Sequence, residues 1–157
     1  MEPAQIHLIS KTFPAISPQI PALAGVFYDE LFKRAPGVRA IFPDDMTRQK
    51  QHLATAVAIV GRNIDALDAI ERPLMEMGER HVSYGAAPEH YPVVRDTLLE
   101  AMAQVYGPAL TPELREAWFA ALNEVAAIML RGAALAAIRK LGGLVGGEGV
   151  EPTAKAG

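Results

Sequence analysis

Apolar positions recur along the chain at helical spacing. Between Thr47 and Ile64, the residues Leu53, Val57 and Val60 share one helix face with Ile64, because they follow one another at i, i+4, i+7 and i+11. No segment alternates apolar and polar residues as a half-buried strand does. Alanine, leucine, glutamate, methionine and arginine, which favour helices, dominate the sequence. The pattern therefore predicts an all-α fold.

Proline and glycine divide this pattern into six helices. Thr111 before Pro112 is a strong helix start, because the hydroxyl can cap the helix and proline suits its first turn. Thr47 is expected to cap the third helix, and Gly85 suits the end of the fourth. The predicted helices cover residues 3–16, 18–34, 47–64, 73–84, 88–106 and 112–141.

The length of 157 residues corresponds to one domain, and half of the residues are hydrophobic, which is enough for a buried core. We expect this domain to occupy residues 1–141. The remaining segment, 142–157, holds six of the thirteen glycines and no aromatic residue, so we expect a disordered tail.

Composition excludes several classes of function. The absence of cysteine excludes disulfide frameworks, thiolate nucleophiles, zinc–thiolate sites and cysteine-ligated iron–sulfur clusters. A net charge of −3 without a basic block argues against a nucleic-acid partner. Residues 1–11 lack a signal-peptide pattern, and Asn123 and Glu124 interrupt the apolar stretch 120–130, which argues against a membrane span. We therefore expect a soluble, cytoplasmic protein.

One of the four histidines lies on an apolar stripe. His7 is expected at the surface, and His90 at a helix start is expected to cap or pack. His81 shares a helix face with Leu74 and Met77, at i, i+3 and i+7. A buried imidazole needs a partner, so His81 is either a core histidine bonded to a carbonyl or a ligand.

The sequence around His81 does not favour a metal held by protein ligands alone. It contains no HExxH motif, and no second histidine lies three or four residues away. A serine hydrolase site is also disfavoured, because Ser83 faces away from His81 and the chain has no GxSxG motif. A haem needs one axial nitrogen and an apolar slot between helices, which this pattern can supply.

A series of short motifs extends from residue 5 to residue 130. They are Phe27-Tyr28-x-x-Leu31-Phe32, Pro36 with Val38, Ile41-Phe42, Gln49-x-x-x-Leu53, Asn63-Ile64-Asp65-x-Leu67, Arg80-His81, Tyr84-Gly85, His90-Tyr91-Pro92-x-Val94, Leu98-Leu99 and Trp118. In this order and spacing they resemble the globin family, specifically bacterial haemoglobins of the single-domain and flavohaemoglobin type. The resemblance implies helices packed three on three, at about 50°, around a haem pocket.

The resemblance also implies roles for single residues around one haem b. His81 matches the proximal iron ligand, and Phe42 matches the aromatic residue that lies flat on the porphyrin. Tyr28 and Gln49 match the distal polar pair, and Leu53 matches the apolar wall above the iron. A phenol and a carboxamide are donors that favour the negative charge gained by dioxygen. Alternatively, Tyr28 is a core tyrosine bonded to a backbone carbonyl, and Gln49 is an exposed glutamine.

Further residues match the edge and the proximal side of the haem pocket. Arg80 and His52 fall where propionate contacts are expected, although both could equally lie on a solvated helix face. Tyr91 matches the tyrosine of a proximal hydrogen-bond network. The family's glutamate in that network lies fifteen residues after the tryptophan, and counting from Trp118 gives Ala133. This departure puts peroxidase-like or rapid redox chemistry in doubt.

The resemblance implies reversible binding of dioxygen, for transport or storage, with carbon monoxide and nitric oxide as further ligands. No residue is assigned a catalytic role. The alternatives are a nitric oxide dioxygenase that uses a separate reductase, because no flavin segment follows the helices, and a haem-based gas sensor. A helical module that has lost haem is a fourth interpretation. Neither a nucleic-acid nor a membrane partner is expected, and the protein would be a monomer or a homodimer.

Overall fold

The computed structural model describes residues 1–146, so residues 147–157 of the predicted tail lie outside it. The described chain forms six α-helices, joined in part by short 3-10 turns, and contains no strand. The all-α prediction is therefore confirmed. The helices are α1 (Pro3–Ile16), α2 (Ile20–Arg34), α3 (Thr47–Arg62), α4 (Glu71–Ser83), α5 (His90–Tyr106) and α6 (Pro112–Gly146).

The helix ends show which local signals were interpreted correctly. The backbone N–H of Leu114 donates to the Thr111 hydroxyl over 3.2 Å, so the predicted cap of α6 is confirmed. The prediction that Thr47 caps α3 is wrong. Thr47 is the first residue of that helix, and its own N–H donates to the Asp45 carboxylate over 3.0 Å. Met46 holds the N-cap position without a side-chain bond, and Asp45 binds the Thr47 N–H from just outside the helix.

The last helix is longer than expected. It continues past Leu141 to Gly146, although we expected the tail to begin at residue 142. Two glycines, Gly142 and Gly143, follow Leu141 directly. Glycine costs a helix about 1 kcal/mol relative to alanine, which weakens the helix without ending it.

The helices pack in two sets of three. Helices α2, α5 and α6 lie side by side, and α1, α3 and α4 pack across them through the pairs α1–α6, α2–α3 and α4–α6. The centre is closed by large side chains that are almost fully buried: Ile9, Leu23, Leu99, Met102 and Trp118. Tyr106 at the end of α5 ties the two sets together, because its hydroxyl donates to the Ile16 carbonyl over 3.0 Å.

Helix α6 is apolar over much of its length. Over Pro112–Gly143 its most apolar window reaches a mean hydropathy of 1.5, so length and composition alone would allow it to cross a membrane. This is a weak indication, because the core helix of a soluble protein meets the same criteria. Trp118, Ala121 and Ile128 on this helix are buried against the other helices.

Candidate functional site

A cleft opens between α3 and α4, and α5 and α6 form its floor. Its cavity volume is about 180 Å³, and it opens to solvent. Most of the residues that line it are apolar. The lining includes Leu53, Val57 and Val60 of α3, Leu74, Met77 and His81 of α4, Tyr91, Val94 and Leu98 of α5, and Trp118, Leu122, Val125 and Met129 of α6.

His81 presents one free ring nitrogen. The side chain is half-buried and lines the cleft, and its Nδ1 lies 2.7 Å from the Met77 carbonyl oxygen. A carbonyl can only accept a hydrogen bond, so Nδ1 carries the proton in this contact. Nε2 of the neutral ring then keeps its lone pair, which is the form that binds a metal. The Tyr84 ring packs edge-on against the imidazole, with ring centroids 5.8 Å apart.

The backbone of His81 is held by the end of its helix. Gly85 has φ +84°, and its N–H donates to the Val82 carbonyl over 3.0 Å. The next N–H, of Ala86, donates to the His81 carbonyl, also over 3.0 Å. This pair of bonds is a Schellman motif, and a residue with a side chain is strained at that φ. The prediction that Gly85 ends the helix is confirmed.

A polar pair joins α2 to α3 near the cleft. Tyr28 is 4% exposed, and Gln49 Nε2 donates to its hydroxyl oxygen over 2.9 Å. Burial raises the pKa of the Tyr28 hydroxyl, although the hydrogen bond from Gln49 acts in the opposite direction. The phenol is therefore neutral at ordinary pH. Because its oxygen accepts from Gln49, its own proton is available to another acceptor.

This polar pair lies near one end of the cleft. Leu53 lines the cleft, and Gln49 lies one helical turn before it on the same face of α3. Phe42 is half-buried, and its ring centroid lies 5.6 Å from that of Tyr28. The structure thus groups Tyr28, Gln49 and Phe42 with one another, beside the cleft rather than in its lining.

The loop that carries Phe42 is fixed by Arg39. The guanidinium donates to the carbonyls of Phe42, over 3.3 Å, and Pro43, over 3.0 Å. The same group lies 5.1 Å from the centroid of the Phe32 ring, and Phe32 packs against Phe42 with centroids 5.6 Å apart. Sequence reasoning missed Arg39, because a basic residue in a loop has no signal that separates it from a solvated one.

The remaining predicted residues divide between cleft and surface. Tyr91 lines the cleft and is half-buried, and burial raises the pKa of its hydroxyl. Arg80 and His52 are exposed, and the structure does not bring them into the lining of the cleft. Ala133 lies one turn beyond Met129, which lines the cleft on α6, so it belongs to the same side of that helix.

Two charged or polar residues on α5 line the cleft although the sequence analysis did not place them there. The Ala87 N–H donates to His90 Nδ1 over 2.9 Å, so His90 binds the loop before α5 rather than capping the helix, and it also reaches the cleft. Arg95 lies four residues after Tyr91, and this helical spacing was the signal that could have found it. Its guanidinium lies 4.5 Å from the Phe119 ring centroid.

The residues present fit a haem. The cleft is an apolar slot between two helices, and its α4 wall carries the His81 imidazole, whose Nε2 is free to bind iron. Beside the cleft, Tyr28 and Gln49 supply hydrogen-bond donors in a partly buried, aromatic setting.

The globin family model matches residues 25–129. The flavohemoprotein of Bacillus subtilis is 36% identical over 124 residues, covering 77% of this chain and 31% of that protein. The chain spans about a third of the length of the curated relatives it matches.

Solved structures agree with this match. An engineered carbene transferase from Rhodothermus marinus, named as a nitric oxide dioxygenase, superposes with a TM-score of 0.80 at 28% identity, covering 89% of this chain and 99% of that one. A bacterial globin from Campylobacter jejuni superposes with a TM-score of 0.76 at 25% identity, covering 85% and 96%. This chain belongs to the globin family and forms a haem-binding globin domain.

Proposed function

We propose that this chain binds one haem b through Nε2 of His81 and binds dioxygen reversibly, with carbon monoxide and nitric oxide as further ligands. The observation that carries the proposal is the 2.7 Å contact between His81 Nδ1 and the Met77 carbonyl. This contact leaves Nε2 with a free electron pair in an apolar cleft. It also makes the imidazole more basic, so that Nε2 binds a metal more strongly. Haem, when bound there, would supply a ferrous iron able to bind a diatomic gas.

The polar pair would select among the gases. Dioxygen gains negative charge when it binds to ferrous iron, whereas carbon monoxide gains less. The Tyr28 hydroxyl, already accepting from Gln49, would donate its proton to the charged ligand. Because Tyr28 is 4% exposed, water competes little for that proton. This arrangement favours retention of dioxygen.

The other predicted residues would complete the pocket. Leu53 and Phe42 would exclude water from the gas-binding face, and Tyr91 would pack on the side of His81. Arg80 and His52 are exposed, and we assign them to the propionate edge, which lies toward solvent in a cleft with an open mouth. The protein would act in the cytoplasm as a monomer or a homodimer.

Nitric oxide dioxygenation is the second candidate. It is favoured by the name of the Rhodothermus marinus protein and by the match to flavohemoproteins. One nitric oxide, one dioxygen and one electron give one nitrate, so the reaction would need a one-electron donor. A carboxylate at position 133 would strengthen electron donation by His81 to the iron. This chain has alanine there, which favours oxygen binding over the dioxygenase. Nitrate formed in step with consumed nitric oxide, with an added reductant, would favour the dioxygenase.

Absorption spectra of the purified protein test the proposal. The wild type should bind haem and show the ferrous and ferrous–carbon monoxide bands of a histidine-ligated b-type haem. His81→Ala should lose most of its haem. The matched control is His90→Ala, which removes another cleft-lining histidine and should retain the haem. If His81→Ala keeps haem with an unchanged ferrous spectrum, another residue is the ligand and the proposal is wrong.

A further inference from the structure

Helices α4 and α6 touch backbone to backbone at two glycines. A Cβ atom built on Gly78 would overlap the carbonyl group of Met129 and lie 2.7 Å from its Cα. A Cβ atom built on Gly132 would overlap the carbonyl group of Met75 and lie 2.5 Å from its Cα. Each glycine therefore makes room for the main chain of the opposite helix. Main-chain atoms cannot rotate away as a side chain can, so any larger residue must separate the helices.

Gly61 and Gly25, which also lie inside helices, do not have this role. A Cβ atom on Gly61 would meet only the ring of Phe13, which is a side chain. A Cβ atom on Gly25 would meet nothing within 4 Å. The reciprocal contact of two backbones is thus a property of the α4–α6 crossing, which is the most extensive helix pair of the fold.

The crossing lies directly beside the cleft face of α4. Gly78 comes one residue after Met77, whose carbonyl accepts the His81 Nδ1 proton, and three residues before His81. At 100° per residue, the face of Leu74, Met77 and His81 is about a quarter turn away from the face of Met75 and Gly78. A change in the separation of α4 and α6 therefore moves His81 mainly sideways across the cleft.

We propose that Gly78 and Gly132 are positioning residues for the axial ligand: their contact sets the lateral position of α4, and thereby the point at which His81 reaches into the cleft. The inference rests on the proposed role of His81 as the iron ligand. A methyl group at either glycine pushes α4 away from α6. The His81 imidazole moves with α4, which weakens the bond between the imidazole and the iron. Residues that orient a metal ligand typically change affinity by about 10- to 100-fold.

The experiment compares four glycine-to-alanine variants of the haem-loaded protein, each adding one methyl group inside a helix. Gly78→Ala and Gly132→Ala should release haem to an excess of apomyoglobin about 10- to 100-fold faster than the wild type. Both should lower the iron–histidine stretching frequency of the ferrous form. The double variant should lose little more than either single variant, because one methyl group already separates the helices.

Two controls separate positioning from general stability. Gly61→Ala meets a buried side chain and should lower the melting temperature while leaving the iron–histidine frequency unchanged. Gly25→Ala meets nothing and should change neither. Variants that unfold without haem are refolded with excess haem, which stabilises the native state by mass action.

The iron–histidine frequency and the yield of haem-loaded protein decide whether the two glycines position His81. If Gly78→Ala and Gly132→Ala lose stability at an unchanged iron–histidine frequency, as expected of Gly61→Ala, the crossing serves packing only and the inference is overturned. It is also overturned if neither gives haem-loaded protein under conditions that yield the Gly61→Ala holoprotein, because the crossing is then required for the fold as a whole. A wild type without histidine-ligated haem would instead refute the proposed function.

Discussion

Replacing Tyr28 by phenylalanine tests the gas-binding side of the cleft. The change removes one oxygen atom from a side chain that is 4% exposed. The ring contacts remain, with centroids 4.9 Å from Phe27 and 5.6 Å from Phe42. Gln49 Nε2 loses the acceptor that it contacts over 2.9 Å. Packing is thus nearly unchanged, whereas the pocket loses the hydroxyl proton.

The magnitude follows from the charge on the acceptor. A hydrogen bond to a charged group contributes about 1.5–3 kcal/mol, and each 1.4 kcal/mol is roughly a factor of ten in a rate or equilibrium. Tyr28→Phe should therefore speed dioxygen release roughly 10- to 100-fold. The freed Gln49 amide can turn toward the ligand and recover part of this loss, which favours the lower end. Gln49→Leu should speed release by less, because the phenol remains.

The assay measures release of two gases from the ferrous protein by stopped-flow displacement. Carbon monoxide carries less charge when bound, so its release should change much less than that of dioxygen. Tyr106→Phe is the matched control, because it removes the hydroxyl of a half-buried tyrosine that donates to the Ile16 carbonyl away from the cleft. It should cost about 1 kcal/mol of stability and change neither rate. Equal acceleration of both gases by Tyr28→Phe, or unchanged dioxygen release, would refute the assignment.

Three further changes test other parts of the molecule. Ala133→Glu should raise the iron–histidine frequency by making His81 a stronger donor, and no change would show that position 133 does not act on the proximal side. Arg39→Gln should loosen the loop that carries Phe42 and speed haem loss, with Arg72→Gln at an exposed site as the control. Burial raises the pKa of Tyr106 to about 12, above an unfolded value near 10, so its contribution to the free energy of unfolding is fully present below pH 10. That contribution is lost toward pH 12, and urea unfolding of Tyr106→Phe should show a shallower alkaline decline.

Much of the fold could be predicted because its signals are local. The helical spacing of Leu53, Val57 and Val60 and the glycine at position 85 depend on neighbours within one or two turns. The error at Thr47 has the same origin. The helix begins at Thr47 itself and Asp45 accepts the Thr47 N–H, and the local pattern alone does not decide which of two polar residues binds the start of the helix.

The site could be predicted only in part, because its contacts join distant segments. The position of His81 on an apolar stripe is compatible with two interpretations, a core histidine and a metal ligand. Only the family resemblance favoured a ligand of haem iron. The resemblance also named Tyr28 and Gln49, but the 2.9 Å bond between them joins residues 21 positions apart. The close approach at Gly78 and Gly132 has no signal in sequence, because each glycine alone resembles an ordinary helix interruption.

The two sides of the cleft are held by different kinds of contact, and this difference decides how each responds to substitution. His81 is fixed by main-chain groups: the Met77 carbonyl, the helix end at Gly85 and the backbone crossing with α6. Tyr28 is fixed by side chains, through the Gln49 amide and aromatic rings. A side chain can be replaced by one of similar volume at little cost to the fold. A close contact between two backbones has no room for added atoms, so a substitution there moves a helix. Substitutions of the Tyr28 and Gln49 side chains should therefore tune gas release while haem is retained, and changes beside His81 should alter haem retention itself.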